Sequence, residues 1–420
     1  MTPKCDTKAL EDSVRFETLP SFKEIQKQLD FFKSSNITQI PFHFVVDGIS
    51  TNTCVINGRE YINYASYNYL GLSGHPTVEK CAIEAIKKYG TSCSASRIVC
   101  GSKPVHIELE KALAELVGVW GSIVFAAGYL TNETMVGNLM TGEDVIFYDE
   151  LAHRSFLTGS IESGARRVPF PHNNFDALEK LMSRHRGNHV RALVFAEGAY
   201  SMDGDIPDLH RLIAIKKKHS AWLMIDEAHS MGVIGETGRG IGEYHHLKNK
   251  GDVDIWMGTL SKSFAACGGY IAGSETLITY LRNSSPGYIY SAGLPPPVAA
   301  AALAACQVLI QEPERPRCLQ ARAALFLKLC QEKGLNTGTS HDTPIVPIIT
   351  GNSSKALQLS QDLLEKGICA MPIMYPAVPE KAARVRFFIS SLHTEEQIRY
   401  TVDIVEKICG TTLSKENQCQ

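Results

Sequence analysis

Residues 221–230 read AWLMIDEAHS and residues 252–264 read DVDIWMGTLSKSF. Each starts as an apolar run of strand length and ends on polar residues: Asp226 and His229 in the first, Ser261-Lys262-Ser263 in the second. An acid at the carboxyl end of a buried strand is costly unless it meets a cation. A lysine usually ends on a solvated surface. This one closes the strand after the one that Asp226 closes, so both point at one crevice, where open α/β sheets place their ligands. Framed by small hydroxyl residues, Lys262 is a candidate Schiff-base amine.

Outward from this pair, EDVIFYDE (143–150), ARRVPFP (165–171), RALVFAEG (191–198) and GGYIAGS (268–274) read as further strands. FDALEKLMSRHRG (175–187) and DLHRLIAIKKKHS (208–220) between them carry helical periodicity. Strand–helix alternation predicts a largely parallel α/β sheet covered on both faces. The large catalytic domain is read over 61–297. Before it, residues 1–60 hold a polar start, an amphipathic helix from Ser21 to Lys33 and short β segments. The apolar residues of that helix are Phe22, Ile25, Leu29 and Phe32. FHFVVDG (42–48) reads as β-rich, and TCVINGREYINYAS (53–66) as a hairpin turning at Asn57-Gly58. After Pro295-Pro296-Pro297, a smaller α+β domain is read over 298–420. It opens with an Ala-rich helix from Val298 to Ile310 and has strands near 344–349 and 384–390.

Composition narrows the function. Of 420 residues, 44% are hydrophobic and 20% charged, which is globular and excludes disordered, collagenous or coiled-coil chains. A net charge of −2 gives no basic excess for nucleic acid. The DEAH spelling resembles a helicase motif, but the chain has no G-x-x-x-x-G-K-[ST] phosphate loop. No apolar run reaches the roughly 18 residues of a membrane span, and the polar N-terminus is not a secretory signal. Twelve cysteines, none in a C-x-x-C pair, read as reduced, packed thiols of a cytoplasmic protein, with no metal site expected.

Upstream, WGSIVFAAGYLTNETMVGNLM (120–140) reads as a β segment, then Gly128, then a helix whose first amides suit a phosphate. His153 follows EDVIFYDE. An acid, a lysine, a phosphate cradle and a ring-stacking histidine together describe a pocket for pyridoxal 5'-phosphate.

The segments SYNYLGLSGHP (66–76), GTSCSASRIVCGSKPVHIELEKALAELVG (90–118), FAAGYLTN (125–132), AYSMDGD (199–205), IDEAHSMGVIGETGRG (225–240), GTLSKSFAACGGYIAG (258–273) and ARVRFFISSLHT (383–394) resemble the α-oxoamine synthase family of fold type I pyridoxal-phosphate enzymes. The resemblance spans nearly the whole chain, and SYNYLG and GTLSKSF are spelled most like the serine palmitoyltransferase branch. It implies a large, mostly parallel seven-stranded-type sheet domain, a smaller C-terminal domain and a homodimer with shared active sites. Lys262 resembles the lysine that carries the cofactor, and Asp226 the partner of its pyridinium nitrogen. His153 resembles the histidine stacked on the ring. His229 and Ser201 occupy positions that reach the ring hydroxyl. Gly128, Tyr129 and Thr259 fall where the family holds the phosphate. Arg386 matches the clamp for the substrate carboxylate, for which a planar guanidinium fork is suited. Asn68, Ser96 and Arg97 lie in segments that approach the substrates.

The chain departs from the family before its prolines, where it reads Tyr290-Ser291-Ala292-Gly293. Many relatives have a second hydroxyl residue at Ala292, so the cross-subunit phosphate contact is lost or falls to Ser291. Cys93 and Cys100 read as packing or channel lining. The implied reaction condenses an amino acid with an acyl thioester on coenzyme A or an acyl carrier protein, with loss of carbon dioxide. Ser96, where glycine-specific relatives tend to carry threonine, points to serine or alanine. Lys87-Lys88 and Lys216-Lys217-Lys218 are candidate patches for a carrier. The alternatives are 2-amino-3-ketobutyrate ligase, 8-amino-7-oxononanoate synthase or aminolevulinate synthase activity, or a catalytically silent regulatory subunit. Lys262, Asp226 and His153 together argue against silence.

Overall fold

The alternation read along the middle of the chain folds into a seven-stranded sheet. A computed structural model describes residues 7–34 and 42–416. The strands are β1 (Gly121–Phe125), β2 (Val145–Asp149), β3 (Arg166–Phe170), β4 (Ala192–Glu197), β5 (Trp222–Asp226), β6 (Ile255–Thr259) and β7 (Gly269–Gly273), in the spatial order β1-β7-β6-β5-β4-β2-β3. Only β7 runs against its neighbours. β4 and β6 are buried at every residue, as a sheet covered on both faces requires. Six strands therefore deliver their carboxyl ends to one edge.

The turn from β6 into antiparallel β7 holds Lys262. The Leu260 amide bonds the Gly268 carbonyl and the Ala266 amide bonds the Leu260 carbonyl. Ala265 sits at φ +50°, a left-handed conformation that costs a non-glycine residue roughly 1–2 kcal/mol. The lysine is thus carried on a tight, strained turn rather than a loose loop.

Helix Pro296–Gln311 lies against helices Pro76–Tyr89 and Pro104–Val117. Ala299, Ala300, Ala301, Ala302, Ala304 and Ala305 are all buried, so the alanines permit close approach on several sides. A three-stranded antiparallel sheet follows, in the order Ile345–Ile349, Arg384–Phe388, Met371–Ile373. A four-stranded sheet joins Val46–Asp47, Thr53–Ile56 and Arg59–Asn63 to Ile368–Cys369, so the early hairpin shares a sheet with the late chain. The turn at Asn57-Gly58 has φ +52° and +76°, as a two-residue hairpin demands. The stretch 42–48 holds less strand than its composition suggested. Only Val46–Asp47 pairs, and His43 is at φ +62°, which breaks an extended run.

The helix expected over Ser21–Lys33 runs from Pro20 to Ser34, and its Phe22, Ile25 and Leu29 stay exposed. Among the described residues no helix is long and apolar enough to cross a membrane. The ten described cysteines are unbridged. The lysines at 216–218 do not form a free basic patch. Lys216 pairs with Asp254 at 2.7 Å, Lys217 with Asp252 at 2.5 Å, and Lys218 with Glu179. Neutralised by acids across their own surface, they offer a carrier little. Lys87 and Lys88 remain exposed in the last turn of their helix.

Candidate active site

A cavity of about 250 Å³ opens at the carboxyl edge of the large sheet. Gly128 and Tyr129 reach it from the helix after β1, His153 from the turn after β2, and Ser201 from the loop after β4. Asp226 and His229 come from the end of β5, Thr259 and Lys262 from the end of β6, and Arg386 from the smaller sheet. Nine residues singled out in the sequence therefore line one space.

Asp226 is buried and held at both oxygens. Oδ1 accepts the Ala228 amide at 2.9 Å, and Oδ2 accepts Asn132 Nδ2 at 2.9 Å. Asn132 Nδ2 also reaches Ser155 Oγ at 3.0 Å, and Ser155 Oγ lies 2.7 Å from His153 Nδ1. Glu197 Oε1 accepts the His153 amide at 2.7 Å. The carboxylate and the imidazole that flank the cavity are thus set by one shared network. Buried among carboxylates, Glu197 titrates well above the ordinary range, because burial comes first and the Asp226 charge adds to it.

His229 sits between Lys262 and Tyr69. Its Nε2 is 2.6 Å from Lys262 Nζ, and its Nδ1 is 2.9 Å from the Tyr69 hydroxyl. Burial, then the Lys262 and Arg386 charges, push its pKa well below 6.5, so the ring is neutral. A neutral imidazole has one N–H. When Lys262 is an ammonium it donates to Nε2, and the ring proton sits on Nδ1 facing Tyr69. When Lys262 is a free amine, Nε2–H can donate to it. Withdrawal from water lowers the Lys262 ammonium to about 8, against the raising influence of Asp226 and Glu197. Its ring neighbour is Tyr67, with Nζ 5.5 Å from the centroid.

A pH dependence follows. Capture of an aldehyde needs the free amine, whose share grows as pH rises through about 8. The rate at which cofactor-free protein takes up pyridoxal 5'-phosphate is expected to rise about tenfold per pH unit at first, then level off above about pH 8.5. Rapid-mixing absorbance measures it. A rate still climbing steeply near pH 10 would show an ordinary lysine.

Arg386 is buried, with its guanidinium carbon 4.3 Å from the Phe388 ring centroid. Nη1 donates to the Ser201 carbonyl at 2.8 Å and meets Met202 Sδ at 3.2 Å. Its buried Nε has no partner among the described residues. Tyr67 is a further side-chain partner of the guanidinium, whose geometry as a planar fork suits an anion such as a carboxylate.

The other residues named from sequence divide. Asn68 lines an adjoining hollow of about 530 Å³ that shares Tyr67, Ser261 and Lys262 with the cavity. Its amide spans the Ser50 carbonyl and the Ser73 amide. Ser96, Arg97 and Ser291 do not line the cavity of their own chain. Arg97 turns inward to Glu110 at 3.1 Å and Ser102 at 2.9 Å, because a buried guanidinium needs a carboxylate. Ser96 bridges Ala292, and among the described residues Ser291 Oγ reaches the neighbouring Ala292 carbonyl, at 3.4 Å. Cys93 packs against the Leu294 carbonyl, while Cys100 is exposed.

Sequence reading passed over Tyr67, Tyr69, Asn132, Ser155 and Glu197. Asn132 and Glu197 had a usable signal. The first lies one helical turn after Gly128, and the second ends a strand on the same edge as Asp226.

These side chains suit pyridoxal 5'-phosphate. Asp226 lines the cavity and its hydrogen bonds come from neutral amides, leaving its charge for a protonated ring nitrogen. Helix Gly128–Leu139 begins without a side-chain cap on its first amides. A Cβ at Gly128 would stand 2.7 Å from Thr259 Oγ1, so glycine lets that helix start close against Thr259.

Comparison with known proteins agrees. A profile for "Aminotransferase class I and II" matches residues 59–405. The 8-amino-7-oxononanoate synthase of Treponema denticola is 39% identical over 363 residues, 86% of this chain and 91% of that protein. Its Geobacter sulfurreducens counterpart is 39% identical over 86% of this chain and 92% of that protein. Among solved structures, serine palmitoyltransferase K265A from S. paucimobilis, with a bound PLP–myriocin aldimine, superposes with a TM-score of 0.89 at 30% identity. It covers 93% of this chain and 98% of that one.

Proposed function

The chain belongs to the class I and II aminotransferase family and, within it, to the pyridoxal-phosphate-dependent α-oxoamine synthases of fold type I, and from that premise we propose how its residues divide the work and which substrates they take. The reaction class is decarboxylative condensation of an amino acid with an acyl thioester, which yields a 2-amino ketone, carbon dioxide and free thiol. The observation that carries the assignment is the convergence of Lys262, Asp226 and Arg386 on one cavity.

Pyridoxal phosphate supplies an aldehyde for an amine and a ring that draws electron density from the α-carbon. Asp226 would hold the charge that keeps the ring nitrogen protonated, and His153 would pack on the ring. Gly128, Tyr129 and Thr259 would hold the phosphate, and Ser201 and His229 would lie on the side of the ring hydroxyl. Arg386 grips the amino acid's carboxylate as a planar fork. Lys262 Nζ, as a free amine, would take the α-proton and return it. Its lowered pKa suits that exchange near neutral pH.

Ser96 and Ser291 act on the partner subunit's side of a homodimer, whereas Arg97, spent on Glu110 and Ser102 of its own chain, braces that segment from within. Ile98, Val99 and Tyr290 beside them are exposed, Val99 by 77% and Tyr290 by 85%, which supports an interface there. Asn68, in the adjoining hollow, meets the acyl donor. Unbridged cysteines accord with a cytoplasmic enzyme.

The amino acid is alanine or serine, and the acyl chain is longer than acetyl. The product named for the curated relatives, 8-amino-7-oxononanoate, divides into the two-carbon amine that alanine leaves after decarboxylation and a seven-carbon acyl unit. The structural relatives are named for serine and palmitoyl groups. One carbon is discriminated by only about 1–3 kcal/mol, so cross-reaction between alanine and serine is expected. Titration of the bound cofactor's absorbance with L-alanine, L-serine and glycine tests the first point, and tightest binding of glycine overturns it. Rates with acetyl, octanoyl and palmitoyl thioesters of coenzyme A and of acyl carrier protein test the second. Acetyl-coenzyme A as best donor would make the enzyme a 2-amino-3-ketobutyrate ligase.

A further inference from the structure

His172 follows β3, outside the cavity, and bridges two carboxylates. Nδ1 lies 2.9 Å from Asp149 Oδ1, and Nε2 lies 2.7 Å from Asp205 Oδ2. Both aspartates are buried. Carboxylate oxygens only accept, so each ring nitrogen must carry a hydrogen and the ring is an imidazolium. Burial works against that charge, but the hydrogen bonds and charges of Asp149 and Asp205 outweigh it and raise the pKa to about 10.

Each aspartate anchors a different part of the active site. Asp149 ends β2, takes the Leu151 and Asn173 amides, and precedes His153 by four residues. Asp205 closes a turn with Tyr200, whose amide bonds the Asp205 carbonyl at 3.0 Å. That turn carries Ser201 and Met202, which hold Arg386 Nη1. It also carries Asp203, which pairs with Arg384 at 2.6 Å. The Tyr200 ring stands edge-on to His172 at 4.5 Å. On its far side the turn presses on strand Ile345–Ile349, where a Cβ at Gly204 would come 2.0 Å from the Ile345 carbonyl oxygen. Asp205 Oδ2 is met by His172 and by Asn173 Nδ2, while Oδ1 is buried without a partner among the described residues. Without the imidazolium, a buried carboxylate would keep one amide, a costly state that moving the turn relieves.

We propose that His172 is a positioning residue that sets affinity for the amino-acid carboxylate, by fixing the 200–205 turn that aims Arg386. This rests on Arg386 being the carboxylate clamp. The test uses holoenzyme of His172→Gln and, should that variant fold poorly, Asp205→Asn, which removes the charge on the other side of the contact. L-alanine, L-serine and an octanoyl thioester are the substrates. The expected result is an amino-acid KM raised about tenfold, with kcat within about threefold and the thioester KM unchanged. Amide hydrogen exchange should quicken over 199–206 and not in β5 or β6. Combined with Arg386→Lys, His172→Gln should add less than it does alone, since both act on one contact. A fall in kcat at unchanged KM, full additivity, or exchange that quickens everywhere overturns the proposal. Should Arg386→Lys leave the amino-acid KM unchanged, the clamp assignment fails by itself. A raised KM with local exchange in His172→Gln would then mean that the turn positions a group other than Arg386, which overturns the proposal, as does an unchanged KM.

Discussion

Lys262→Ala is expected to abolish turnover and leave the fold intact. Lys262 lies on the cavity wall rather than in the core, and its polar contact is to His229, which keeps Tyr69 as a partner. The tight turn that carries it is closed by backbone bonds from Leu260 to Gly268 and from Ala266 to Leu260, which the substitution does not touch. Chemistry loses more. The amine that fixes the cofactor goes, and so does the group that moves the α-proton, which alone contributes roughly 10²–10⁴-fold. Borohydride reduction of the wild-type holoenzyme should place the cofactor's mass on the peptide containing Lys262. The same treatment of the variant should yield no adduct, while its circular dichroism and Tm stay close to wild type. An adduct on any other lysine would sink the assignment.

The residues legible in the sequence were those whose position along a strand fixes where they end up. Asp226 and Lys262 close neighbouring apolar runs, so the parallel order of the sheet brings them together whatever the details of packing. The fold class was legible for the same reason, since strand–helix alternation admits few arrangements. Features that depend on distant pairing were not. Nothing local says that Arg59–Asn63 will lie parallel to Ile368–Cys369, or that Met371–Ile373, three residues with a central proline, will edge the small sheet. The lysines at 216–218 looked like a patch because their acidic partners, Asp252, Asp254 and Glu179, come from other segments. Asn132 and Glu197 act by holding Asp226 and His153, so their signal lies in their placement after Gly128 and beside Asp226 rather than in a motif of their own. His172 is the extreme case. Its two carboxylates lie 23 and 33 residues away, and only their convergence makes the ring a cation.

Asp226→Asn should bind the cofactor yet slow the chemical step by roughly 10²–10⁴-fold. The carboxylate is held by one backbone amide and one side-chain amide. The introduced side chain can still accept the Ala228 amide, but its NH₂ group would face Asn132 Nδ2, donor against donor. Asn132 can resolve this by rotating its amide, because its Oδ1 is buried without a partner among the described residues and is free to accept. The site therefore tolerates the change in shape, and Tm should fall little. The lost charge has no replacement. Glu197, paired in register with Asp226 on the neighbouring strand, is raised first of all by burial, a cause that the substitution leaves in place. An opposite charge at contact shifts a pKa by about 1–3 units, each worth about 1.4 kcal/mol. Without it the ring nitrogen of the cofactor loses its proton and draws electron density from the α-carbon less strongly. Absorbance of the variant should report near-normal cofactor occupancy, and single-turnover kinetics with L-alanine or L-serine should report the slowed step. Asp226→Glu, which keeps the charge but displaces it, should retain more activity than Asp226→Asn. A single-turnover rate close to wild type in Asp226→Asn would show that the carboxylate holds the cofactor in place without activating it.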